Sequence, residues 1–219
     1  MSEDLVLRYK DNNSQRTPCV LVLDGSQSMD GRPIDELNRG LKVLESELKE
    51  DVVARGRVRV LVVRVGGAPE VVGDWTDAID FAAPTIEAYG NTPLGEAMEL
   101  ALESVAEEKR RLDAAGISST RPWIFIISDG APTDPGWESA AARCSQEEDA
   151  RRVSVFPIGV SGADLDALSK FSRRGAAQLD GLRFTDFFLW LSRSVSSASQ
   201  SGPDEEVQLP AIDWARAPT

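Results

Sequence analysis

The chain has 219 residues, 42% hydrophobic and 27% charged, and its 24 Lys+Arg against 36 Asp+Glu leave a net charge of −12. That length and mix fit one ordinary soluble domain with tails, or at most two small domains, and the acidity sets phosphate backbones aside as partners. With no histidine, imidazole-dependent triads, histidine general bases and imidazole zinc sites are excluded. Residues 1–17 read as a polar, peripheral N-terminal segment. Met1-Ser2-Glu3-Asp4 has neither the basic start nor the apolar stretch of a signal peptide, and no apolar run approaches the ~20 residues of a membrane span.

Cys19-Val20-Leu21-Val22-Leu23 is a continuous apolar run ending on Asp24, the pattern of a strand buried on both faces. Three more such runs follow at 58–65, 123–127 and 153–160. Between them Ile34, Leu37, Leu41, Leu44 and Leu48 recur at steps of three and four, and Leu94, Met98, Ala101, Val105 and Leu112 nearly so, which marks helices with one buried stripe. The Glu70-Val71-Val72-Gly73-Asp74-Trp75 segment, close behind Gly66-Gly67, predicts one short antiparallel edge strand. Cys144 shares a helical stripe with Trp137, Ala140 and Ala141. Leu165, Leu168 and Phe171 mark a short helix, and 184–195 marks another rich in aromatics. The alternation predicts an α/β fold: a Rossmann-like open, mostly parallel sheet with one antiparallel edge strand and helices on both faces, over residues 18–195. From Ser196 to Thr219 a Ser/Gly/Pro linker gives way to an acidic tail, in which Val207, Leu209, Ile212 and Trp214 either pack back on the domain, dock on a partner or stay unfolded. Cys19 and Cys144 lie far apart without CxxC spacing. They are expected to be reduced, buried and structural, which suits a cytoplasmic protein.

In an open parallel sheet, ligands bind beyond the carboxyl ends of the strands. Asp24-Gly25-Ser26-Gln27-Ser28 follows the first strand, Ser128-Asp129-Gly130-Ala131-Pro132-Thr133-Asp134 follows the 123–127 run, and Gly90-Asn91-Thr92-Pro93 opens a helix. Together they offer the carboxylates of Asp24 and Asp129 and the hydroxyls of Ser26, Ser28 and Thr92. These are hard oxygen donors that suit Mg²⁺ or Mn²⁺ and poorly suit zinc or copper. Each hydroxyl also has a plainer reading, Ser26 or Ser28 as an N-cap of the helix starting near Ile34 and Thr92 as an N-cap before Pro93.

The three pieces, in this order, resemble the von Willebrand factor A domain family, whose Asp-x-Ser-x-Ser sequence, threonine and distant aspartate form a metal-ion-dependent adhesion site. The resemblance implies that Ser26 and Ser28 bind Mg²⁺, or Mn²⁺, through their hydroxyls. It implies that Thr92 binds directly or through water, and that Asp24 and Asp129 act mostly through water and orient the hydroxyls. One departure is visible: many bacterial relatives carry Gly at the position of Gln27, whereas this chain has Gly25. Arg32-Pro33-Ile34-Asp35-Glu36-Leu37-Asn38, Gly90-Asn91-Thr92-Pro93-Leu94-Gly95, Leu182-Arg183-Phe184 and Trp190-Leu191-Ser192 are most similar to stand-alone bacterial members associated with tellurium resistance and stress response. That implies a cytosolic scaffold working with a protein phosphatase and a kinase-like partner.

Two functional classes therefore compete. One is a non-enzymatic, metal-dependent protein-binding module in which a partner's Asp or Glu completes the coordination, with Gln27, Met29, Asp30, Asn91 and Asp134 flanking the incoming acid. Asp30 and Asp134 would then favour an acid set among basic residues. The other is a Mg²⁺-dependent phosphotransferase using Asp24 as nucleophile, although Ser26 stands where a haloacid-dehalogenase pattern needs a second Asp. No GxxxxGK[ST] loop occurs. A degenerate domain serving only as a spacer is a third reading, opposed by the complete five-residue set.

Overall fold

A computed structural model describes residues 14–200 and 210–215. Residues 1–13 of the N-terminal segment and 201–209 of the linker, with Val207 and Leu209, lie outside the described residues. Strands β1 (Thr17–Asp24), β2 (Val58–Val65), β5 (Trp123–Ser128) and β6 (Ser154–Gly159) form the parallel centre. The short β7 (Ala177–Gln178) extends it beyond β6. The antiparallel edge comes in two pieces, β3 (Glu70–Val71) and β4 (Thr76–Asp77), both pairing with β2. The order is β3-β2-β1-β5-β6-β7. The chain runs outward from β1 to β2 and then resumes on the other side of β1 at β5, so the switch point lies between β1 and β5.

The alternating side chains of β1 divide the core in two. Cys19, Leu21 and Leu23 face the layer built by helix α1 (Arg32–Glu50) and helix α6 (Phe184–Ala198). The short α2 (Ala54–Arg57) leads from that layer into β2. Val20 and Val22 face helix α3 (Leu94–Ala114) and helix α4 (Trp137–Asp149), with the short α5 (Leu165–Ser169) at the edge. The stripe of Ile34, Leu37, Leu41, Leu44 and Leu48 is buried as its period requires. Where α1 crosses α6 the contact is closest at Gly40, whose absent Cβ would lie 2.6 Å from Phe188 Cδ2. Cys19 and Cys144 are free, buried and on opposite sheet faces, where they cannot bridge, and burial pushes both thiols up to about 12.

The described parts of both flanking segments carry more structure than the polar reading gave them. Arg16 is buried and bridges to Ser119. Helix α6 runs to Ala198, three residues into the stretch read as linker. Its serines fit inside the helix by bonding back to carbonyls of the preceding turn, Ser194 to Trp190 at 2.7 Å and Ser197 to Arg193 at 3.0 Å. Residues 210–215 pack back on the domain. Trp214 is 1% exposed against Phe187 and Trp190, Trp190 Nε1 donates to Pro210 O at 3.0 Å, and Ile212 remains exposed. The 58–65 run is not wholly apolar either. Arg59 and Arg64 interrupt it, and both are buried.

Candidate metal centre

All five expected donor residues lie at the carboxyl ends of the central strands or on the segments that follow them. Asp24 is the last residue of β1 and is fully buried, because β2 and β5 flank its strand. Its Oδ1 accepts the Ser26 N–H at 2.8 Å, and its Oδ2 accepts the Ser128 hydroxyl at 2.5 Å. Ser26 and Ser28 hydroxyl oxygens lie 2.9 Å apart, and Ser28 Oγ donates to Asp129 Oδ1 at 2.8 Å. Ser28 spends its one hydrogen on Asp129, and the Ser26 hydroxyl lies within reach of both Ser28 Oγ and the Asp24 carboxylate. A continuous polar chain therefore runs from Ser26, buried, to Ser28, exposed, and to the half-buried Asp129.

Thr92 completes the set through a glycine. An ideal Cβ on Gly130 would sit 3.4 Å from Thr92 Oγ1 and 4.0 Å from Ser28 Oγ. The two hydroxyls thus share a small cradle that the missing side chain leaves open. Two backbone-anchored bonds hold Thr92 there: its N–H donates to Thr133 Oγ1 at 3.1 Å, and its carbonyl accepts the Thr133 N–H at 2.9 Å. Gln27 N–H donates to Gly90 O at 3.0 Å, which ties the first loop to the same segment.

The capping readings of the hydroxyls do not hold. Ser26 precedes a single 3-10 turn (Gln27–Met29) and makes no side-chain cap bond. Helix α1 is entered from Gly31, and helix α3 from Pro93. The cap of α3 comes instead from Asp134, whose carboxylate accepts the N–H groups of Gly95 and Glu96, both at 3.1 Å. Asp134 is therefore buried under the helix N-terminus, where a carboxylate is favoured, and does not belong to the rim. Met29 is also buried in the core, so the rim expected from sequence reduces to Gln27, Asp30 and Asn91, which are exposed.

Burial pushes the Asp24 carboxyl above the ordinary range, against the pull of its bonds from Ser128 and Ser26, and the nearby charge of Asp129 pushes the same way. Among the described residues neither aspartate forms an ion pair, and no three Asp, Glu or Cys side chains gather where they could hold a metal ion by themselves. The edge thus holds two carboxylates without a cation, three converging hydroxyls and an open cradle. This all-oxygen, under-neutralised set fits a hard divalent cation. Ser26, Ser28 and Thr92 would hold it, with Asp24 and Asp129 orienting the hydroxyls. Ser128 is the member that sequence reasoning passed over, and its signal is its position as the last residue of β5 beside Asp129.

A family model described as the von Willebrand factor type A domain matches residues 19–187. No curated protein sequence matches the chain. The fold is similar to the pilus adhesin SpaC from Lactobacillus rhamnosus GG, with a TM-score of 0.64 and 13% identity, covering 85% of this chain and 31% of that one. It is similar to a von Willebrand factor type A protein from Catenulispora acidiphila, with a TM-score of 0.62 and 16% identity, covering 84% and 43%. It is also similar to the vWF domain of the type V pili tip protein Mfa5 from Porphyromonas gingivalis, with a TM-score of 0.64 and 11% identity, covering 89% and 99%. The chain thus spans about a third of SpaC and under half of the Catenulispora protein. Likeness at such identities speaks for the fold alone.

Proposed function

This chain belongs to the von Willebrand factor type A domain family, and we propose that it is a non-enzymatic, metal-dependent protein-binding module. One observation carries the reading: the hydrogen-bonded run Ser26–Ser28–Asp129, rooted on buried Asp24 and opening to solvent beside Thr92. When Mg²⁺ or Mn²⁺ is bound, it supplies a Lewis-acidic position for an anionic ligand. The residues around it orient the donors and limit the charge that neutralises the ion. A partner's Asp or Glu then supplies the missing charge, most strongly where water is excluded. With Asp134 withdrawn under α3, Asp30 is the rim acid that favours a partner carboxylate set among basic residues.

The phosphotransferase alternative fares worse at this site. An aspartyl nucleophile needs a free oxygen facing its substrate, whereas Asp24 is fully buried with both oxygens engaged. Among the described residues no helix is long and apolar enough to cross a membrane. Two buried cysteines held apart on opposite sheet faces and the subfamily motifs support a cytoplasmic scaffold in a bacterial stress or tellurium-resistance-type system. A protein phosphatase and a kinase-like protein are then its candidate partners. The test is capture of partners from native cytosol on the immobilised chain in Mg²⁺ and again in EDTA, beside the Asp129→Ala variant. Partners retained only by the unaltered chain in Mg²⁺ are expected. Equal capture in EDTA would overturn the metal-bridged mechanism.

A further inference from the structure

We propose that Arg64 is a positioning residue for the metal-binding loop. The inference rests on the metal reading of the site and names the part that keeps the loop in shape. Arg64 sits one residue before the end of β2 and is 4% exposed. Its guanidinium donates to three carbonyls on three different segments: Gly25 O at 3.2 Å, Gly66 O at 2.8 Å and Glu87 O at 3.2 Å. The first belongs to the loop bearing Ser26 and Ser28, the second to the turn leaving β2, and the third to the approach to Thr92. The same group lies 3.5 Å from the ring centre of Tyr89, which is half exposed at the rim, and its charge is met at 3.7 Å by Glu70. Only a planar fork with several fixed donors joins three carbonyls in this way, and a lysine ammonium is a single point.

The loop is shaped to receive this fork. Gly25 O also accepts the Tyr89 N–H at 2.8 Å, and Gly25 N–H donates to Val65 O at 2.6 Å. A Cβ on Gly25 would lie 2.7 Å from Glu87 O and 3.1 Å from Arg64 Nε, and one on Gly66 would lie 2.8 Å from Arg64 Nη2. Glycine at 25 therefore leaves room first for Glu87 O and Ile86 Cγ2, at 2.7 and 2.9 Å from such a Cβ, and beside them for the guanidinium. Removing the fork leaves the Gly25 carbonyl with the Tyr89 N–H alone and unties it from Gly66 and Glu87, which loosens the backbone that aims Ser26 and Ser28. Such outer contacts to metal ligands are worth roughly 10–100-fold in affinity.

The test is Mn²⁺ binding by isothermal titration calorimetry on the full chain, Arg64→Lys and Arg64→Ala, with melting temperatures in EDTA recording the fold. Both variants should bind Mn²⁺ about 10–100-fold more weakly. Methylguanidinium should restore at least half of the Arg64→Ala loss, and ethylammonium should restore none, a contrast that a general loosening of the fold does not produce. Absence of Mn²⁺ binding by the unaltered chain would overturn the metal reading itself. Binding by that chain with Arg64→Lys unchanged, or an Arg64→Ala loss that both cations rescue alike, would overturn the positioning role alone. Should Arg64→Ala not fold, the Arg64→Lys affinity decides.

Discussion

Each end of the sheet buries a carboxylate, and the two are treated in opposite ways. At the amino end of the parallel strands, Glu108 of α3 is fully buried with Arg59 Nε 2.5 Å from its Oε1. Arg59 is also paired to Asp77 at 2.9 Å, and Arg16 lies 3.9 Å from the same Asp77 oxygen. At the carboxyl end, Asp24 is equally buried but meets neutral donors, the Ser26 N–H and the hydroxyls of Ser128 and Ser26. Burial pushes both carboxyls above their ordinary range, and only Glu108 has cations, Arg59 and Arg111, pulling back. An acid paired within the chain belongs to the fold. An acid left without a cation among converging hydroxyls is what the proposed metal site would use.

The largest expected effect breaks the closed end. Arg59→Met should leave buried Glu108 and half-buried Asp77 without their nearest cation and destabilise the chain by about 3–5 kcal/mol. Urea denaturation measures it. Titration of the folded variant should show unchanged Mn²⁺ affinity, because the two ends share no side chain. The open end answers differently. Asp129→Ala should abolish the metal-induced stabilisation, about 2.7 kcal/mol at a hundredfold excess over Kd, and leave the EDTA melting temperature nearly unmoved. A large drop in EDTA would mean that the open end also serves the fold.

A smaller effect sharpens the comparison inside the open end itself. Ser128→Ala removes the hydroxyl donor on Asp24 Oδ2 and should cost about 1.5–3 kcal/mol, the range for a hydrogen bond to a charged group. Equilibrium unfolding in EDTA reads it directly. A neutral result would mean that Asp24 is protonated or rehydrated, and its contrast with Glu108 would weaken.

What could be read from the sequence divides along the same line. Asp24, Ser26, Ser28, Thr92 and Asp129 were legible because each follows a strand run or opens a helix, and strand ends at a switch point converge. The four long strands were legible as apolar runs and the main helices from their period, whereas α2, β4 and β7, only two to four residues long, are too short to carry either signal. Arg59 and Arg64 were hidden inside a run that is apolar in six of its eight positions, although a charge in such a run demands a partner. Asp134 was misplaced because nearness in sequence does not fix where a side chain points. Its true role had a signal: helix α3 opens on Pro93, which has no side chain to cap it, so a cap had to come from another segment. Trp214 was ambiguous because burial of a tail tryptophan depends on a surface, here Phe187 and Trp190, that no local pattern reveals.

Glu45 on α1 gives the smallest effect and a control for both ends, since it is an acid near solvent with partners of its own. Its carboxylate is held down at about 2, from an ordinary 4.5, by the bond from Lys49 first, then the Ala83 N–H, with Lys42 adding to them. A carboxyl with a lowered folded-state value contributes stability above its unfolded value, and loses it as pH falls through the folded one. Glu45 should therefore support the fold above pH 4.5 and cease to do so between 4.5 and about 2. The side chain is 22% exposed and its lysines 37% and 60%, so solvent screening reduces the contribution to on the order of 1 kcal/mol. Glu45→Gln should lower stability at pH 7 by about that amount and flatten the acid limb of the stability curve in the same window. Urea midpoints taken at half-unit steps from pH 7 to 2 would show it. An acid limb of undiminished slope in Glu45→Gln would assign the acid sensitivity to other carboxylates and remove Glu45 as the solvent-side control.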